Sequence, residues 1–209
     1  MQNLKDKLKY VYYDQKEPCG HQIKEIKFKF NNHRFRFLTD VGMFSRFKVD
    51  TGTKLLLRNL DLHKEDRFLD MCCGYGVVGI IAAKFCWRVV MSDINERGLE
   101  MVKRNLKINN INNNSGSNVK VVCGDLFENI NINENFTIIA ANPPLRAGID
   151  FMEKLIEGAE KHLCDNGRIF LVARKKQGAY EILERMNEYF SAEIVEGGGG
   201  YRVMRGMKV

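Results

Sequence analysis

The 209-residue chain has no apolar run approaching the roughly 18 residues that a membrane crossing needs, so no membrane partner is expected. Its first residues, MQNLKDKLKYVYY, carry no apolar stretch of the kind that marks a secretory leader, which points to a cytoplasmic protein. The six cysteines, at 19, 72, 73, 86, 123 and 164, form no C-x-x-C pair, and the adjacent Cys72 and Cys73 cannot readily bridge each other. Most lie in or beside apolar runs, as reduced core thiols do. The four histidines, at 21, 33, 63 and 162, show no ligand spacing, so no metal site is expected. No internal repeat is visible, which excludes a solenoid. Proline is scarce, with three in the chain, and two of these are the neighbours Pro143 and Pro144.

What is present suits one ordinary globular domain: 44% hydrophobic and 28% charged residues. The formal net charge of +7 makes a polyanionic partner plausible, although many cytosolic proteins are mildly basic.

Residues 1–65 read differently from 66–209. Ile23 to Phe30 approximates strict alternation, Asn31-Asn32 reads as a turn, and His33 to Phe37 alternates again, which is a hairpin. A loop from Thr39 to Thr53 follows, and Lys54 to Leu60 reads as helical. From about residue 66 strands and helices alternate. Strands are expected at Arg67–Met71, Arg88–Ile94, Val119–Cys123, Phe136–Ala141 and Arg168–Ala173. Helices are expected at Val77–Phe85, Glu96–Asn109, Ile149–Leu163 and Gly178–Phe190. This is the pattern of an α/β fold whose mostly parallel sheet is covered on both faces. Two last strands, Ala192–Val195 and Tyr201–Lys208, are joined by Gly197 to Gly200, a linker too short for a crossover, so they are antiparallel. The Asn-rich stretches 109–114 and 129–135 read as surface loops. Whether the hairpin binds substrate or covers an edge stays open.

The segment Asp70-Met71-Cys72-Cys73-Gly74-Tyr75-Gly76-Val77-Val78-Gly79 follows a strand and opens a helix. Glycines there let a ligand approach backbone N–H groups at the helix N-terminus. Gly74, Gly76 and Gly79 fit G-x-G-x-x-G literally, so a dinucleotide must be weighed. Asp93, at the end of the second strand, suits the ribose hydroxyls of either cofactor. Asp70 separates the two. A pyrophosphate is repelled by a carboxylate at that strand end, whereas the ammonium and sulfonium of S-adenosylmethionine are attracted. Gly124-Asp125-Leu126, past the third strand, adds an acid that can accept the adenine amine. The cofactor set is therefore Asp70, Met71, Cys72, Gly74, Gly76, Asp93, Ile94, Asn95, Gly124, Asp125, Leu126 and Asn142.

Asn142-Pro143-Pro144-Leu145 ends a buried strand, at the carboxyl edge where open α/β sheets hold ligands. An exocyclic amine or an amide nitrogen shares its lone pair with a π system and is a poor nucleophile. The Asn142 side-chain oxygen and the Pro143 carbonyl can accept its two N–H groups and free the lone pair. Pro143 and Pro144 stiffen the turn that holds them. Asn142, Pro143 and Pro144 are thus the candidate catalytic residues. Leu145 gives a flipped base an apolar face without π stacking, so Phe44, in the loop Gly42-Met43-Phe44-Ser45, is the candidate clamp. Arg146, Lys175 and Lys176, with Arg174, Arg202 and Arg205, are placed to meet phosphates, although a run of charge also suits a solvated face.

These motifs resemble class I methyltransferases. Gly42-x-Phe44-Ser45, Asp50-x-Gly52-Thr53-x-Leu55-Leu56, Leu145-Arg146-Ala147-Gly148 and Arg174-Lys175-Lys176-Gln177-Gly178 are similar to the small-domain methyltransferases related to the bacterial 16S ribosomal RNA guanine-N2 methyltransferase C, and to their stand-alone members above all. The resemblance covers about residues 10 to 208. It implies a Rossmann-like seven-stranded sheet, S-adenosylmethionine as methyl donor, and transfer to guanine N2 in ribosomal RNA. The chain departs from that family in two ways: it lacks their degenerate N-terminal domain, and it has Leu145 where they commonly have Phe. Glutamine-N5 methylation of a protein, small-molecule methylation, and a non-catalytic S-adenosylmethionine-binding RNA assembly factor are the competing readings. Nothing in the sequence distinguishes a monomer from a homodimer.

Overall fold

A computed structural model describes residues 20–111, 118–144 and 148–208. The expected substrate residues Leu145 and Arg146 lie outside these, as does part of the first Asn-rich stretch.

The hairpin forms as the alternation requires. Strands β1 (Lys24–Phe30) and β2 (His33–Thr39) pair antiparallel, with Phe28 opposite Phe35 and Lys29 opposite Arg34. Asn31 and Asn32 have φ of 42° and 63°, the left-handed pair that a two-residue hairpin turn requires and that Asn tolerates. Ile26, Phe35 and Phe37 are buried. After a loop, α1 (Thr51–Asn59) is capped by Asp50, whose side chain accepts the Thr53 N–H.

The main sheet then builds in β/α alternation: β3 (Arg67–Met71), α2 (Val77–Ala82), β4 (Arg88–Asp93), α3 (Glu96–Ile108), β5 (Val119–Cys123), β6 (Phe136–Ala141), α4 (Ile149–His162), β7 (Leu163–Arg174), α5 (Ala179–Met186), β8 (Ser191–Gly198) and β9 (Tyr201–Met207). Its seven strands run in the order β5-β4-β3-β6-β7-β9-β8, with β9 antiparallel to both neighbours. One apolar cluster joins the hairpin, α1, α2 and α3 on one face, and a second lies under α4 and α5. None of the described helices is long and apolar enough to cross a membrane.

The free edge of β2 is closed by side chains rather than by another strand. Asn105, on α3, accepts the Leu38 N–H at 2.6 Å and donates to the Leu38 carbonyl at 3.0 Å. One turn later Asn109 does the same for Arg36, at 3.0 and 2.6 Å. Two amides at helical spacing thus imitate a neighbouring strand, and the β2 edge of the hairpin is docked on α3.

Several element ends differ from the expectation. The helix begun at Val77 stops at Ala82 rather than Phe85, and Trp87 just beyond it is exposed. β7 starts at Leu163, five residues early, because it runs through Asn166 in a left-handed conformation that reads as a loop from sequence. The helix before β8 ends at Met186 rather than Phe190. Of the four glycines near the end, Gly197 and Gly198 belong to β8, and only Gly199-Gly200, both at positive φ, make the turn.

Candidate active site

β3 and β6 are adjacent parallel strands, and the sheet grows in opposite directions from them. This is a topological switch point, where a crevice opens beyond the carboxyl ends of the strands. The register sets Met71 beside Ala141, so the glycine loop that follows β3 and the Asn142-Pro143-Pro144 turn that follows β6 leave the sheet side by side. A cavity of about 850 Å³ lies there, in the upper part of the usual range for ligand sites.

The glycine loop is organised by carboxylates. The Asp93 Oδ2 accepts the Gly74 N–H at 2.7 Å, and its Oδ1 accepts the Asn95 N–H at 2.9 Å. The Asp70 Oδ2 accepts the Gly79 N–H at 2.7 Å, in the first turn of α2. Gly79 can be nothing larger, since a Cβ there would lie 2.3 Å from the Met91 side chain. Gly76 caps α2 at φ 86°, a left-handed conformation that favours glycine.

Asp70 and Asp93 are both buried and both line the cavity. Burial pushes the Asp70 carboxyl up to about 8, the Gly79 hydrogen bond opposes this, and the Asp93 charge adds to it. Burial also raises Asp93, against the hydrogen bonds from Asn95, Gly74 and Ile94. Two carboxyls in so little water form a site short of positive charge. Burial, together with Asp93 and Asp70, likewise pushes the Cys72 and Cys73 thiols well above their ordinary value, so neither serves as a thiolate.

Asn142 is held by a directed chain of hydrogen bonds. Its Nδ2 donates to the Thr53 Oγ1 at 3.0 Å and lies 3.4 Å from both Asp50 carboxylate oxygens. The Thr53 hydroxyl in turn donates to the Asp50 Oδ2. A hydroxyl has one proton. With that proton committed to Asp50, Thr53 can only accept from Asn142, so it must face the amide NH2. The Asn142 Oδ1 is left to accept from another donor.

The 40–50 loop forms the remaining wall. Asp40 is fully buried and accepts from the Arg97 Nε and Nη2 at 3.0 and 2.7 Å, and from the Gln22 and Val41 N–H groups. Its Oδ2 also lies 2.6 Å from the His21 Nδ1. Burial raises its carboxyl, but His21, Arg97 and the two backbone donors outweigh burial and hold it well below the usual carboxylate range. This cluster ties the loop to α3. The loop presents Phe44 and Phe47, which line the cavity and are 62% and 66% exposed.

Of the residues expected from sequence, the structure brings Asp70, Cys72, Gly74, Asp93, Asn95, Asn142, Pro143, Pro144 and Phe44 together around the cavity. Met71 and Leu126 instead turn their side chains into the second apolar cluster. Gly124 stays close, its N–H donating to the Asp93 carbonyl at 3.1 Å, and Asp125 follows it. Ile94 lies between Asp93 and Asn95. Lys175 and Lys176 sit exposed on a 3-10 turn (Lys175–Gln177), while the flanking Arg174 and Gln177 line the cavity, Arg174 over the Tyr201 ring at 4.9 Å. Arg205 pairs with Glu193. Sequence reasoning missed Phe47, Tyr75, Arg97 and Tyr201. It also gave Asp50 and Thr53 no role, although an Asp three residues before a helical Thr is a capping signal.

A Rossmann-like sheet with acids at successive strand ends and an Asn-Pro-Pro turn at its switch point defines a class I methyltransferase. The chain belongs to the methyltransferase small domain family, whose description matches residues 34–205. It is 34% identical over 202 residues to the uncharacterized protein YbxB of Bacillus subtilis, covering 95% of this chain and 98% of that one. It is 33% identical over 173 residues to ribosomal RNA small subunit methyltransferase C of Hamiltonella defensa, covering 80% of this chain and 46% of the relative. The Thermus thermophilus 16S rRNA N2 G1207 methyltransferase, solved with AdoMet and guanosine, superposes with a TM-score of 0.80. That match is 22% identical and covers 92% of this chain and 52% of the other. The chain therefore spans about half the length of these rRNA-modifying relatives.

S-adenosylmethionine fits the residues present. Asp70 can ionise against a bound ammonium, Asp93 can accept from ribose hydroxyls, and a pyrophosphate finds no cation in the glycine loop.

Proposed function

We propose that this methyltransferase transfers a methyl group from S-adenosylmethionine to the exocyclic N2 of a guanine in ribosomal RNA. When bound, S-adenosylmethionine supplies an electrophilic methyl group. Asp70 holds its charged methionine portion, Asp93 its ribose hydroxyls and Asp125 its adenine amine, with Gly74, Gly76 and Asn95 framing the loop. The Asn142 Oδ1 and the Pro143 carbonyl accept the two N–H groups of the target amine, and Pro144 stiffens the turn. The nitrogen lone pair then faces the methyl group. The methylated nitrogen is cationic and very acidic, so its extra proton leaves without a strong base. Phe44 covers the base.

The observation that carries this reading is the Asp50–Thr53–Asn142 chain, which commits the Asn142 amide to an acceptor orientation beside the cavity that Asp70 and Asp93 line. The sequence likeness to rRNA methyltransferase C supports guanine as the base. The test is labelled methyl transfer to total RNA and total protein from cells lacking the gene, with wild type and Asn142→Ala. Label in RNA from the wild type alone is expected. Label in protein alone would point to glutamine methylation. Cofactor binding with no transfer to either would mark a binding module.

A further inference from the structure

The hairpin has two unlike faces. Ile26, Phe28, Phe30, Phe35 and Phe37 face the apolar cluster. On the other face the register sets Lys27 opposite Arg36 and Lys29 opposite Arg34, and all four are exposed. Like charges directly opposite on an antiparallel ribbon, with Cβ atoms about 5 Å apart, destabilise it. Two such pairs in succession therefore oppose the folding of this hairpin.

Among the described residues little relieves them. Glu25 is the only acid between residues 24 and 39, and it pairs with Arg36 through both oxygens, at 3.0 and 2.6 Å. Lys27 acts on Glu25 only at longer range. Among the described residues, Lys29 and Arg34 have no acidic partner. The hairpin adjoins the wall of the cavity. β2 runs directly into the 40–50 loop, and on the hairpin's other face the Lys24 Nζ lies 4.5 Å from the centre of the Phe47 ring, with the Arg46 guanidinium 5.4 Å from it. Phe47 lines the cavity mouth. The two cationic pairs stand two residues apart along the ribbon, about 7 Å.

We propose that the outer face of this hairpin, Lys27, Lys29, Arg34 and Arg36, is a phosphate-binding track that holds the RNA strand flanking the target base. The track rests on the RNA reading above and adds to it where the substrate lies. An arriving backbone supplies the counter-charge that the fold withholds, and Asn105 and Asn109 keep the ribbon rigid on α3 while it does so.

The test is the salt dependence of binding to a short single-stranded RNA of mixed sequence, for wild type and for the variant Lys27→Gln/Lys29→Gln/Arg34→Gln/Arg36→Gln. Four lost phosphate contacts reduce the slope of log K against log salt by about 3. S-adenosylmethionine affinity and transfer to free guanosine should be unchanged, and the melting temperature should not fall, because repulsion has been removed. A second variant, Lys29→Gln/Arg34→Gln, leaves the Arg36–Glu25 pair intact and should lose about half of that slope. If the wild type methylates RNA and both variants keep its slope, the track is wrong and the RNA reading stands. If the wild type neither binds nor methylates RNA, both fail together.

Discussion

The Thr53 hydroxyl oxygen lies 3.0 Å from the Asn142 side-chain nitrogen, and the same hydroxyl gives its proton to Asp50. The orientation of the Asn142 amide is thus set by a residue in the first turn of α1. Thr53→Val should lower kcat about tenfold to a hundredfold, because the amide loses its anchor and its direction. Thr53→Ser keeps the hydroxyl and should retain activity. Asp50→Asn is the more discriminating change. Asn still caps a helix well, so stability should move little. The Thr53 proton is then free to go to the Asn142 oxygen, and kcat should fall as in Thr53→Val. Steady-state kinetics beside thermal melts would separate the two effects.

The raised Asp70 carboxyl makes cofactor binding and stability pH-dependent. In the free protein Asp70 is protonated below about 8, whereas an unfolded Asp ionises near 4. Its stabilising contribution is complete below about pH 4 and is lost as pH rises through about 8. A bound ammonium favours the ionised form, so binding at pH 7 should release a proton. Calorimetry in buffers of different ionisation enthalpy would detect it. Asp70→Asn should abolish the release and weaken S-adenosylmethionine binding, and should flatten the pH dependence of the melting temperature between those limits. An unchanged proton count in Asp70→Asn would place the titrating group elsewhere.

Asp40 titrates with the opposite sign. Its carboxyl is held down in the fold, so its contribution is present above about pH 4 and fades as pH falls further. Asp40→Ala strands Arg97 and should cost about 3–5 kcal/mol, read by denaturant unfolding. It also frees the loop that carries Phe44 and Phe47, so RNA transfer should fall even where the protein remains folded.

Phe44 and Phe47 expose large apolar rings at the cavity mouth, a position that serves stacking better than core packing. Loss of one base stack costs about 1–3 kcal/mol. Phe44→Ala should therefore raise KM for RNA, with S-adenosylmethionine affinity retained. Unchanged turnover and substrate binding would remove Phe44 from the base-covering role.

Much of this site was legible because its chemistry is local. The glycine loop, the acids at strand ends and the Asn-Pro-Pro turn each announce themselves within a few residues, and alternation with Asn31-Asn32 located the hairpin. What was not legible depends on topology. Thr53 and Asn142 are 89 residues apart, and only the β3–β6 register and the packing of α1 bring them together. Asp40 and Arg97, 57 residues apart, meet because α3 closes the hairpin's edge. The basic run at 174–176 was visible as charge, but a 3-10 turn decides that Arg174, and not Lys175 or Lys176, lines the cavity. The early start of β7 was hidden by Asp165-Asn166-Gly167, which reads as a turn and lies between Leu163, paired with Phe136, and Arg168, paired with Ile138.

The most direct test of the central claim is mass-spectrometric nucleoside analysis of ribosomal RNA incubated with the protein and S-adenosylmethionine. Wild type should yield N2-methylguanosine and Asn142→Ala none. Methylation of a different nucleoside, or equal N2-methylguanosine from the Asn142→Ala variant, would contradict it.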